Sequence, residues 1–137
     1  MQKSINKILA LTFSIAVLFS SCSKAPSKIL PKKDGLWTIS YTTVTVVGGA
    51  QSTQTGAYTA TFKDGTFTIT QGLFSFSGTW SYDKKNKVVI VALTGYPSQS
   101  YNVEEMKSKS EKWTYKNSST SGGVVTTIDE TWTLTKL

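Results

Sequence analysis

Cys22 is the only cysteine in the 137 residues. A thiol can serve as a nucleophile, a metal ligand or half of a disulfide, and in most sites it works with a partner. The chain has no histidine, so the commonest general base and the commonest zinc ligand are both absent. All fifteen basic residues are lysine. Bidentate clamping of phosphate or carboxylate, and guanine readout by arginine, are therefore outside its repertoire. Eight carboxylates, the lysines, the tyrosines and the hydroxyls remain, and no nucleophile–base spacing stands out among them. Carboxylates alone can hydrolyse glycosides when two of them face each other ~5–10 Å apart, but nothing in their spacing asks for it. The expectation is a chain with no catalytic residues, no metal and no cofactor.

The residues before Cys22 explain the lone thiol differently. Lys3 and Lys7 are followed by a twelve-residue apolar run, residues 8–19, interrupted only by Thr12 and Ser14, and then by Ser20, Ser21 and Cys22. The run suits the apolar region of a secretory signal (about 7–15 residues) and is short of the roughly 20 needed to span a bilayer. The arrangement resembles a bacterial lipoprotein signal, cut before a cysteine that carries lipid. By that resemblance residues 1–21 are a signal peptide and Cys22 is the lipidation site, which removes the thiol from chemistry. Several acyl chains on one residue hold firmly, at about 0.8 kcal/mol per buried methylene. Ser23 stands where some bacteria use Asp for inner-membrane retention, and no acidic residue follows closely. The expected address is thus the cell envelope, lipid-anchored at the outer membrane and facing the periplasm.

Removal of Lys3 and Lys7 with the signal lowers the formal charge from +7 to +5. The lysines look scattered apart from Lys32-Lys33 and Lys84-Lys85-Lys87, as solvated turns and strand edges would have them. Together with the exported address this argues against nucleic acid as a partner. Residues 22–34, with Pro26, Pro31 and four lysines, have little to bury and read as the lipidated cysteine and a tether. Residues 35–137 are long enough for one small domain with one core.

That domain reads as strands. From Cys22 onward there are twenty threonines and fourteen aromatics, both strand formers. Trp37, Ile39 and Tyr41 share a face; Val44 and Val46 fall on the other parity, which predicts a bulge at Thr42-Thr43. Tyr58, Ala60 and Phe62 alternate with threonines, as do Phe67 and Ile69. Phe74, Phe76, Gly78, Trp80 and Tyr82 form a longer run. Residues 88–93 are continuously apolar, as in a strand buried on both sides or at a crowded barrel wall. Tyr101 and Val103, Trp113 and Tyr115, and Ile128, Trp132 and Leu134 complete the pattern. Residues 104–112 could instead make a helical turn. Glu104, Glu105 and Glu111 are expected to be solvated. Lys63-Asp64-Gly65 and Asp83-Lys84-Lys85-Asn86 read as tight turns, and Gly48-Gly49, residues 95–98 and residues 117–123 as longer loops. About eight consecutive strands with short connections are best satisfied by closure, which removes both edges. The expected fold is all-β, an eight-stranded up-and-down antiparallel β-barrel, with an open sandwich as the alternative.

Gly35-Leu36-Trp37 opens the first strand, and a Gly-x-Trp at that place resembles the lipocalin signature. The chain is similar in particular to small lipocalin-like lipoproteins of Bacteroidetes. The stretches that carry the resemblance are Gly35-Leu36-Trp37-Thr38-Ile39, Phe62-Lys63-Asp64-Gly65-Thr66-Phe67, Gly78-Thr79-Trp80-Ser81-Tyr82 and a late Trp132-Thr133 strand. The resemblance implies that Trp37 packs across a closed barrel end with a basic residue of the last strand against it, for which Lys136 is the candidate. It also implies a small apolar ligand in the barrel mouth.

The candidate lining is Tyr41, Phe74, Phe76, Trp80, Trp113, Tyr115 and Trp132. Their flat apolar surfaces could hold a ligand or could fill an eight-stranded barrel outright. Glu130 shares parity with Ile128, Trp132 and Leu134. If these face inward it needs a partner, and it could anchor a ligand amine or hydroxyl; otherwise it sits at the rim in water. The expected function is binding of a small apolar or amphipathic molecule without catalysis. The alternative is a protein-binding module, a hydrolase inhibitor or a subunit of an envelope assembly, using the loops at residues 117–123 and Tyr96-Pro97 or an exposed sheet face.

Overall fold

The computed structural model describes residues 26–32 and 34–137. Cys22, the signal segment and Lys33 lie outside the described residues. A short helix α1 (Pro26–Ile29) precedes eight strands: β1 (Leu36–Val47), β2 (Ala50–Phe62), β3 (Thr66–Gln71), β4 (Phe74–Asp83), β5 (Val88–Leu93), β6 (Gln99–Met106), β7 (Ser110–Ser121) and β8 (Val124–Lys136). Each strand pairs antiparallel with the next, and β8 returns to β1, closing the barrel. The alternation read from the sequence explains why. Inner-face residues Trp37, Ile39, Ala60, Phe62, Phe67, Ile69, Trp80, Val89, Val91, Tyr101, Trp113, Trp132 and Leu134 form one buried cluster, while the opposite parity is mostly threonine, serine and lysine.

The two ends of the barrel differ. At one end Trp37 is fully buried and its Nε1 donates to the Leu30 carbonyl at 2.9 Å. The Lys136 Nζ lies 5.1 Å from the Trp37 ring centre and also donates to the Lys32 carbonyl. Gly35 has φ +63°, and a Cβ there would stand 1.9 Å from the Phe62 carbonyl oxygen; only glycine allows β1 to start so close to β2. At the other end β1–β2 and β7–β8, twelve or thirteen residues each, rise past the shorter β3 and β5, six residues each. One wall of the barrel is therefore tall and the other low.

Several expectations are corrected. The segment before Gly35 is not merely a tether, because Ile29 and Leu30 are buried in the core and the Leu30 carbonyl is the acceptor of the Trp37 indole. β1 pairs without interruption with both β2 and β8, so no bulge occurs at Thr42-Thr43. Val44 and Val46 simply take the outer face, where the tall wall leaves them half-buried. The bulge is in β6 instead, between Val103 and Glu105; the extra Glu104 lets both Val103 and Met106 pack on the core. Residues 104–112 make no helical turn but the end of β6, a turn and the start of β7. Gly48-Gly49 and Gly122-Gly123 are two-residue turns with positive φ at both positions, the geometry a tight hairpin requires. Residues 117–121 are thus strand, not loop. β5 alternates, with Val89 and Val91 inside and Ile90 outside.

Leu30→Ala is expected to lower the unfolding free energy by about 2–4 kcal/mol, the usual cost of a buried leucine cavity, measured by denaturant titration. A change near zero would show that the N-terminal plug does not belong to the cooperative fold.

Candidate functional site

The barrel is solid at its sealed end and hollow at the other. In the solid half, Phe62 meets Trp80 edge-on at 5.8 Å and Trp113 at 6.1 Å. The Trp80 Nε1 donates to the carbonyls of Lys63 and Thr66 at 2.8 and 3.1 Å. Trp113 stacks on Trp132 at 6.1 Å, and Tyr101 tilts against Trp132 at 4.7 Å. Above this layer the low wall opens a cavity of about 410 Å³, lined chiefly by Val91, Leu93, Tyr96, Tyr101, Tyr115, Glu130 and Trp132. A second lobe of about 220 Å³ shares Leu93, Tyr96 and Trp132 and adds Tyr58, Ile69 and Phe76. The first lobe alone falls within the ~300–1,000 Å³ of small-molecule sites.

Glu130 is the one carboxylate in this lining. It projects from the inner face of β8, between Thr43 on β1 and Tyr115 on β7. The Tyr101 hydroxyl donates to its Oε1 at 2.8 Å, and Thr43 Oγ1 donates to Oε2 at 3.4 Å. Burial, reinforced by the Glu130 charge, pushes the Tyr101 phenol far above its usual range, so at neutral pH it stays a donor. No lysine among the described residues pairs with Glu130 within 4 Å. Two neutral donors are weaker compensation for a carboxylate than a cation would be. Tyr58, on β2 of the same tall wall, stacks on Tyr41 at 4.9 Å; burial and the Tyr41 hydroxyl push its pKa up to about 12. Tyr41 can lie flat there because Gly56 opposite it has no side chain: a Cβ at Gly56 would stand 2.5 Å from the Tyr41 hydroxyl.

The sequence-derived candidates divide. Phe76, Tyr115, Glu130 and Trp132 line the mouth. Trp80 and Trp113 are buried in the solid half and fill it. Tyr41 belongs to the wall through Tyr58, and Phe74, 71% exposed, projects at the rim. Gly35, Trp37 and Lys136 sit together at the sealed end, away from the mouth. Tyr101, Tyr96, Tyr58 and Leu93 complete the lining without having been singled out. The alternation of Tyr101 with Val103 carried the signal for the first of them; Tyr96 lies in a loop where periodicity gives none.

A second carboxylate departs from expectation. Glu111, predicted to be solvated, is 1% exposed. It shares the inner face of β7 with Trp113, opposite Leu134. Its Oε2 accepts from Trp113 Nε1 at 2.7 Å, and its Oε1 has no partner. Burial pushes its pKa up to about 7, against the opposing effect of the indole hydrogen bond.

Comparison with known protein families, curated proteins and solved structures returns no match, so the site is interpreted from its own geometry.

Glu111 holds a proton in the folded chain that the unfolded chain releases near pH 4.5. Its contribution is therefore fully present below about 4.5, declines as pH rises, and is lost above about 7. The expected decline in unfolding free energy across that window is about 3 kcal/mol. Glu111→Gln is expected to remove it, measured by denaturant titration at stepped pH. The same decline in the variant would contradict the assignment.

Proposed function

We propose that the chain is a lipid-anchored envelope lipoprotein with a lipocalin-like barrel, whose mouth binds a small amphipathic molecule without catalysis. One observation carries the binding reading: an open cavity with aromatic and aliphatic walls has a single carboxylate, Glu130, in its lining, held by hydroxyl donors and by no cation among the described residues. Such a site gains affinity by burying an apolar body against Leu93, Tyr96 and Trp132. It orients the body by a donor-bearing head, an amine above all, brought to Glu130. The closed, antiparallel barrel supports the lipocalin-like reading, as does the packing of Trp37 under Lys136. The signal-like segment before Cys22 supports the anchor.

A second reading, a protein-binding module, is favoured by the rim. The turn between β3 and β4 places Leu73 fully in solvent, with Phe74 beside it and Tyr96 65% exposed. A partner gripping this rim would lose its hold on a Leu73→Ser/Phe74→Ser variant, whereas a ligand seated deeper, at Glu130 and Trp132, would not.

Trp132 lines both lobes, so occupancy is readable by indole fluorescence. A long-chain alkyl amine is expected to bind at least about tenfold tighter than the carboxylate of equal length, and Glu130→Gln is expected to abolish that preference, given the ~1.5–3 kcal/mol typical of a charge-assisted contact. Failure of the amine to perturb the fluorescence, or an unchanged preference in the variant, would contradict the proposal.

A further inference from the structure

Lysines that look scattered in the sequence are gathered by the fold. Three hairpin turns close the strands at the end sealed by Trp37, and they carry Lys63, then Lys84, Lys85 and Lys87, then Lys107 and Lys109, all exposed. The chain enters the barrel at this same end through α1 and the turn after it, which adds exposed Lys28 and Lys32. β8 finishes there with Lys136. Against these nine lysines stand four carboxylates on the surface of that end, Asp34, Asp64, Asp83 and Glu105; Glu104 beside them lies 3.6 Å from Lys112, and Glu111 is buried inside the barrel. Two of the four are already engaged. Asp83 accepts from the Lys85 and Asn86 amides and from the Asn86 side chain at 2.7–3.2 Å, and Glu105 lies 3.8 Å from Lys107. The opposite end is different in kind: its connections, residues 48–49, 72–73, 94–98 and 122–123, contain no charged residue.

We propose that the sealed end of the barrel is a docking surface for a bilayer rich in anionic phospholipid headgroups. The charge is of the complementary sign and sits on mobile-headed side chains spread over one face, which suits a plane of phosphates better than a single pocketed anion. Direction of approach agrees. Cys22 precedes Pro26 by four residues, a reach of about 14 Å at ~3.3–3.6 Å each, so the lysine-bearing end is the one any lipid on that cysteine would hold against the membrane. For this orientation the inference rests on the anchored reading above. It adds a consequence to that reading: the mouth faces away from the anchoring leaflet, and its ligand arrives from the aqueous side rather than by lateral transfer out of that leaflet.

The test removes the anchor so that the surface is measured alone. A chain beginning at residue 22 with Cys22→Ser keeps every residue of the described core, from Ile29 to Leu134. Its flotation is compared on phosphatidylcholine vesicles with and without phosphatidylglycerol. Each lysine at an anionic surface contributes about fivefold in affinity, so at least about tenfold tighter binding to the anionic vesicles is expected, weakening as salt is raised. Lys84→Glu/Lys85→Glu/Lys107→Glu/Lys109→Glu is expected to lose that binding with an unchanged melting temperature. Lys116→Glu, on the tall wall, is expected to keep it. Equal binding to both vesicles, retention by the quadruple variant, or binding to duplex DNA with none to vesicles would overturn the proposal. The mass of the chain purified from envelopes reports lipid on Cys22 independently, so loss of the anchor and loss of the docking surface are separate results.

Discussion

Trp37 is the contact on which the rest of the barrel depends. It is fully buried, its indole N–H is satisfied by the Leu30 carbonyl, and Lys136 covers its ring. Three parts of the chain far apart in sequence meet there: the segment before β1, the start of β1 and the end of β8. A barrel closes only if its first and last strands pair, and that pairing spans nearly the whole chain, so its loop-closure entropy is the largest in the fold. The apolar surface and the hydrogen bond concentrated at Trp37 offset that cost where it falls. Ile29 and Leu30 then exclude water from the seal.

Sealing one end so firmly decides what the other can be. The aromatic layer of Phe62, Trp80 and Trp113 fills the interior beside Trp37, leaving no passage through the barrel. Above it, β3 and β5 stop after six residues while β1, β2, β7 and β8 continue. An eight-stranded barrel has barely enough width to admit more than its own side chains, so a cavity has to come from a missing wall rather than a larger circumference. The inner face of the tall wall is Thr43, Glu130 and Tyr115 at this level, which is why the cavity has an apolar floor and one polar side. The two ends also differ in charge, lysine-rich where sealed and uncharged in the turns where open.

Much of this was legible beforehand. Period-two alternation, two short turns and the count of eight runs were sufficient for the closed antiparallel barrel, while the shared parity of Glu130 with Trp132 and Leu134 left it either inside or at the rim in water. What could not be read was depth. Alternation says which face a side chain takes but not how far along the barrel it lies. Trp113 and Trp132 therefore looked alike, although one is core and the other also lines the mouth. Glu111 has the parity of Trp113 and Tyr115 on β7, so its inward face was legible; it was misjudged because a glutamate among lysines and serines is ordinarily solvated, and the alternation does not say that this one is buried. Ile29 and Leu30 were hidden by their flanking prolines and lysines, whose composition resembles a linker. The gathering of lysines at one end depends on strand order in space, which only the closed topology supplies.

The central claim is that one end of the barrel is a structural seal and the other a ligand site built around Glu130. Residue-resolved NMR during titration with a long-chain alkyl amine tests it most directly. The account predicts saturable shifts at Leu93, Tyr101, Glu130 and the Trp132 indole, while Leu30, the Trp37 indole and Phe62 remain unmoved. Shifts centred on the sealed end, or confined to the outer faces of the strands, would contradict it.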